Sequence, residues 1–155
     1  MIHAAARLGA AAAARQARDM TDEAATAYVL DAMPLCRTLG VRAEISTPAE
    51  VVLALDWAPE LCTSGGLLHG GVVMALADSA GAVCAVANLP EDAGTSTIES
   101  KTNFLRGVRS GTVTAQATPL HVGSTTIVIE TAVRDDTDRL VAKVTQTQAV
   151  LQPRR

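Results

Sequence analysis

Residues 70–87, GGVVMALADSAGAVCAVA, contain no proline and a single ionisable side chain, Asp78. An unbroken run of this length predicts a long helix over Gly70–Ala87. Its apolar residues cover nearly every face, which is the pattern of a helix enclosed by other structure and not lying on a surface. Ala75, Ala77, Ala80, Gly81, Ala82 and Ala85 leave room for something to wrap it closely.

What can wrap it is read from the flanking segments. Val41–Ile45 and Val51–Trp57 have strand composition and are separated by the turn-prone Ser46-Thr47-Pro48, so they predict a hairpin. After the helix come four β-rich stretches, Ser96–Leu105, Gly111–His121, Thr125–Arg134 and Leu140–Leu151. Turn signals separate them at Arg106-Gly107, Val122-Gly123-Ser124 and Asp135–Asp138. Short connections imply mostly antiparallel neighbours. The fold class is therefore α+β, an antiparallel sheet of about six strands curled around one central helix. A further helix opens at Thr21-Asp22-Glu23, with a capping hydroxyl and early acids, and runs towards Pro34, where it is expected to pack on an edge of the core. The Ala-rich, basic segment 1–20 is set aside as a frayed extension or an over-long start, leaving one domain over residues 21–155.

Composition narrows the possible partners. A formal charge of -3 with no concentrated basic surface argues against nucleic acid. No stretch of eighteen apolar residues lacks charges, so no transmembrane helix is expected. Cys36, Cys62 and Cys84 are odd in number and lack metal-type spacing, which fits a reducing cytoplasm and not a disulfide framework; Cys84 reads as a buried, inert thiol. Three scattered histidines, His3, His69 and His121, form no cluster, so neither a metal nor a tightly bound cofactor is expected.

An acid inside an enclosed helix is costly unless something compensates it. Asp78 either bonds a nearby polar group and fixes packing, or it does chemistry. The segment Leu68-His69-Gly70-Gly71-Val72-Val73-Met74-Ala75-Leu76-Ala77-Asp78-Ser79 resembles the H-G-G-x(6)-D signature of PaaI-like hotdog-fold acyl-CoA thioesterases, and the likeness extends over roughly Val41 to Leu151. It includes Ser96-Thr97-Ile98-Glu99-Ser100-Lys101-Thr102-Asn103-Phe104-Leu105-Arg106, similar to the family's strand after the helix.

The resemblance implies acyl-CoA hydrolysis with Asp78 as catalytic carboxylate, either as general base on a water or as a nucleophile forming a transient anhydride. It makes the Gly70 backbone N–H the donor to the thioester carbonyl, with Gly71 beside it and His69 helping to orient the site. Thr97 matches a hydroxyl that assists the nucleophile in some relatives. Thr63 stands where many relatives carry an amide, a departure that leaves the positioning of water open between Thr63, Ser64 and a plain loop. Lys101, Arg106 and Arg109, on or just after the strand, are candidates for the CoA phosphates.

Helix geometry adds a constraint. Gly70 and Asp78 lie about 12 Å apart along the axis at ~1.5 Å per residue, so one thioester cannot touch both groups of one helix. A second chain with its helix antiparallel, related by a two-fold axis, could bring its Asp78 beside the first Gly70. A homo-oligomer is expected, a dimer or the dimer of dimers common in this family. The rival readings are a non-catalytic acyl-CoA-binding module and a hydratase. The first would tolerate loss of Asp78, and the second needs a paired acid and base not seen here. No G-x-S-x-G elbow supports a serine hydrolase.

Overall fold

The structure is a computed structural model that describes residues 21–152. The Ala-rich segment 1–20, set apart above, lies outside the described residues. Strands β1 (Arg42–Ser46) and β2 (Val51–Asp56) form the expected hairpin. The central helix runs over Gly70–Val86. It is followed by β3 (Gly94–Phe104), β4 (Thr112–Val122), β5 (Thr126–Arg134) and β6 (Leu140–Leu151). Every pairing is antiparallel and the sheet order is β1-β2-β4-β5-β6-β3. This is the α+β hotdog arrangement anticipated from the sequence, one curled six-stranded sheet with one long helix in it and an N-terminal helix beside it.

Which face each strand turns inward follows from its pattern. Along β5, Ile127, Ile129, Thr131 and Val133 are buried, and along β6 so are Val144, Gln146, Gln148 and Val150. The alternate residues between them are only half-buried, so each strand turns one face to the helix and the other outward. The helix packs mainly on β4 and β5. Val73, Leu76, Ala77, Ala80, Gly81, Val83, Cys84 and Ala85 are its buried residues there, together with Ser79.

Within one chain the helix is not covered all round. Gly71, Met74 and Val86 are exposed and Ala75, Asp78 and Ala82 half-buried, so one apolar stripe of the helix, with the acid in it, stays open. β3 at the sheet margin is similarly bare, with Ile98 61% and Phe104 52% exposed.

Two local readings are corrected. The N-terminal helix, α1 (Glu23–Ala32), is capped by the Asp22 carboxylate, which accepts from the Ala25 N–H at 2.9 Å; the Thr21 hydroxyl is not the cap. Pro34 does not merely stop that helix. It opens a second one, α2 (Pro34–Leu39), at the first-turn position where proline's missing N–H costs nothing. The central helix is thus α3. As expected, α1 packs on a sheet edge: the Asp22 N–H donates to the Ala43 carbonyl at 2.8 Å, and the Ala43 N–H to Thr26 Oγ1 at 2.9 Å.

The β5–β6 turn is held by Asp135. Its Oδ1 accepts from the Thr137 N–H and hydroxyl and from the Arg139 N–H, and its Oδ2 from Arg139 Nε at 2.9 Å. Burial alone would raise the carboxyl's pKa, but these donors outweigh it and bring it down to about 2. A depressed carboxylate contributes stability fully above its unfolded value near pH 4 and loses it as pH falls through about 2. Asp135→Asn should therefore lower stability at pH 7 by about 1–2 kcal/mol, discounting the exposed Arg139 side for solvent screening. Urea denaturation at stepped pH should show the difference from the parent shrinking between pH 5 and pH 2.

Candidate active site

The start of α3 is built by His69. Its Nδ1 accepts from the Gly71 N–H at 2.9 Å, which leaves the proton of the neutral ring on Nε2. Its carbonyl accepts from the N–H groups of Val72 and Val73 at 2.9 and 3.2 Å. Of the first helical N–H groups, that of Gly70 alone has no hydrogen-bond partner among the described residues. A helix N-terminus with one free donor is a place for a negatively charged or polarised oxygen. A Cβ on Gly71 would come within 3.0 Å of His69 Nδ1, so Gly71 makes room for the cap. A Cβ on Gly70 would lie 3.2 Å from Phe104 Cζ, which places the Phe104 ring at the end of β3 over the helix start.

Two turns along, Asp78 is half-buried, and burial pushes its carboxyl above the ordinary carboxylate value. Gln146 Nε2 on β6 donates to Asp78 Oδ1 at 2.6 Å. Thr97 Oγ1 on β3 accepts from Gln148 Nε2 at 2.9 Å and lies 3.4 Å from Gln146 Nε2. Thr95 Oγ1 in turn donates to Gln148 Oε1 at 3.0 Å. Asp78 and Thr97 therefore belong to one polar network running under the helix through two buried glutamines.

The structure thus gathers His69, Gly70 and Gly71 at the helix start, and Asp78 with Thr97 further along. The other candidates form no hydrogen bond with these residues. Thr63 is exposed in the preceding loop, where its N–H donates to the Leu67 carbonyl at 2.8 Å and its carbonyl accepts from Gly66 at 2.9 Å. Arg109 reaches back to that loop, donating to the Gly65 carbonyl at 2.8 Å, while Arg106 donates to the Leu140 carbonyl at 2.7 Å. Lys101 is exposed on β3 and His121 on β4; His3 is outside the described residues. Among the described residues no group of three or more His, Cys, Asp or Glu side chains is arranged to hold a metal.

Gln146, Gln148 and Phe104 were not singled out from the sequence. The two glutamines had a signal all the same: they occupy the alternate positions of β6 that Val144 and Val150 fill with apolar side chains, and an amide in an inward slot demands a partner.

The thioesterase superfamily model matches residues 65–142, from the loop before α3 to the start of β6. The chain is 30% identical over 123 residues to the 1,4-dihydroxy-2-naphthoyl-CoA hydrolase of Listeria monocytogenes, covering 79% of this chain and 100% of that protein. It is 38% identical over 89 residues to a relative in Vibrio cholerae, of whose length it spans 59% against 57% of its own. Among solved structures, a mutant thioesterase of Pseudomonas aeruginosa superposes with a TM-score of 0.77 at 27% identity, over 86% of this chain and 96% of that one.

Because its ring nitrogen caps α3, His69→Ala should cost about 1 kcal/mol of stability, and His69→Asn, which keeps a capping acceptor, should recover most of it. Chemical denaturation of the three proteins measures both steps; equal stabilities would show that the cap contributes nothing.

Proposed function

The chain belongs to the thioesterase superfamily, and we propose that it hydrolyses an acyl-CoA thioester to the free acid and CoA, with Asp78 as the catalytic carboxylate. The observation that carries this reading is the pairing on one helix of a free N–H at Gly70 with a half-buried acid at Asp78. The thioester oxygen accepts from the Gly70 N–H, where the helix dipole favours the negative charge that grows as the carbonyl is attacked. Asp78 takes the proton of an attacking water, and the tetrahedral centre collapses to the free acid and the CoA thiolate; or Asp78 attacks the carbonyl carbon itself, collapse releases the thiolate and leaves a mixed anhydride, and a water then cleaves that anhydride to the free acid and restores the carboxylate. A carboxyl raised by burial is a stronger base than an ordinary one. Thr97 supports the attacking group from β3, and His69 and Gly71 shape the oxygen's seat.

The site spans two chains in this reading. Eight residues of helix separate Gly70 from Asp78 by about 12 Å, too far for one thioester. The open stripe of α3 and the bare margin of β3, with Ile98 and Phe104 exposed, support a two-fold partner whose antiparallel helix brings its acid to this Gly70. Lys101, Arg106 and Arg109 supply charge for the CoA phosphates, and Thr63 borders the acyl group. The Listeria relative, named for a CoA thioester, supports CoA as the carrier. Three free cysteines support a reducing cytoplasm, and among the described residues no helix is long and apolar enough to cross a membrane.

Asp78→Asn should lower kcat on the best substrate of an acyl-CoA panel by about 10²–10⁴-fold while leaving acyl-CoA binding and folding intact. Hydrolysis at the parent rate by the folded variant would instead favour a site built on other groups. By sedimentation, the protein at assay concentration should be a dimer or larger; an active monomer would refute the shared site.

A further inference from the structure

The geometry points to Gln146 as the positioning residue for the Asp78 carboxylate, with Gly81 as the gap in α3 that admits it; this deepens, and rests on, the reading of Asp78 as catalyst. Gln146 is fully buried between Val144 and Gln148 on the inward face of β6. An amide in such a slot costs free energy unless both ends are paired. One end is paired: Nε2 lies 2.6 Å from Asp78 Oδ1, with the Asp78 carbonyl and Thr97 Oγ1 each at 3.4 Å. The other is not, since Oε1 is buried without a hydrogen-bond partner. A side chain that only filled space would be apolar, whereas this one leaves an acceptor unsatisfied while it holds a single carboxylate oxygen.

Gly81 makes the approach possible. It lies one helical turn beyond Asp78, and a Cβ there would overlap the Gln146 amide, Oε1 most of all. The amide therefore sits against bare helix backbone, and any side chain at position 81 would push it off the carboxylate.

Two consequences follow for Asp78. The bond anchors Oδ1, leaving Oδ2 without a hydrogen bond among the described residues and available to a reactant. Donation from Nε2 also favours the charged form, so it opposes the effect of burial on this group. Few other charges compete for that control. On β3, Glu99 and Lys101 pair with Thr147 and Thr145, which sets them on the opposite face of the sheet from Gln146. Lys143 on β6 is paired with Glu130 on β5, and Arg134 likewise alternates with the buried residues of β5. On β2, Asp56 is bound to Arg42; on β4, His121 is exposed; from α2, Cys36 donates to Ser79 Oγ at 3.3 Å; and His69 is engaged at the helix start.

The test replaces the amide by an unbranched apolar chain of similar length, Gln146→Met. Carbon-detected NMR titration of the Asp78 carboxyl should move upward by about one pH unit in this variant, because a donor to the anion has been removed. The acid limb of kcat/KM should shift the same way, and kcat at neutral pH should fall about tenfold with KM unchanged, as expected for lost positioning. A merely structural glutamine would instead lower the melting temperature and leave the titration of Asp78 where it was. Gly81→Ala reaches the same state by displacing the amide, so it should reproduce the shift alone and add little to it in the Gln146→Met background. It also serves if Gln146→Met does not fold. If Asp78 titrates at the parent pH in the folded variants, the inference is overturned. If the titration shifts while Asp78→Asn still hydrolyses at the parent rate, the coupling of Gln146 to Asp78 stands and the catalytic reading of Asp78 is what fails.

Discussion

A helix can lie in the concave face of a single curled sheet only if its side chains let the two backbones come close. That constraint governs α3. Its contact face offers Ala77, Ala80, Gly81 and Ala85 where larger residues would hold the sheet away, and fills the remaining space with Val73, Leu76, Val83 and Cys84. From the other side β2, β4 and β5 contribute Leu53, Leu55, Val113, Ile127 and Ile129, all fully buried. At about 1.5–3 kcal/mol for each large aliphatic side chain buried, this shared layer holds the strands in their order. With one Phe, one Tyr and one Trp in the chain, the fully buried layer is aliphatic, and Trp57 packs against the core only from a partly buried position.

The same closeness gives the polar groups their character. Asp78 is taken partly out of water by the sheet against which the helix lies, and its carboxyl is raised by that burial. Its relief comes from β6, where a glutamine reaches it across the helix–sheet seam. At the other end, the helix begins in a loop tied down by the Leu68 N–H to the Val108 carbonyl at 2.8 Å and by Arg109 to Gly65, so the free donor of Gly70 is presented from a fixed base. One element thus carries both an unpaired N–H and an acid, but holds them apart by its own rise per residue.

Much of the fold was legible because it is written in periodicities. The absence of proline over residues 70–87 and the alternation in the later strands fixed element type and nearly every boundary to within two residues. What was missed is of two kinds. Pro34 reads as a stop, and only the chain's turn at Met33 reveals it as a start; Asp22 and Thr21 are both good caps, and the choice between them depends on where the first turn closes. At the site, the H-G-G-x(6)-D spacing pointed to His69, Gly70 and Asp78, since these lie close in sequence. Gln146 joins Asp78 from a strand far along the chain, and no local pattern links them. Its one trace is an amide where alternation calls for an aliphatic side chain. The placing of Lys101, Arg106 and Arg109 at exposed positions was legible from their charge, whereas the backbone carbonyl partners of the two arginines were not.

The contact between Gly81 and Gln146 also bears on how this sequence can change over evolutionary time. A side chain at position 81 overlaps the amide of position 146 where it now lies, so a change at either position disturbs the donor to the acid between them. Descendants that acquire alanine at 81 either re-aim the glutamine or take a shorter residue at 146, and in both cases lose this donor to Asp78. The two sites are therefore expected to co-vary among relatives as a pair, with the identity of the residue at 81 recording which way the carboxylate is held.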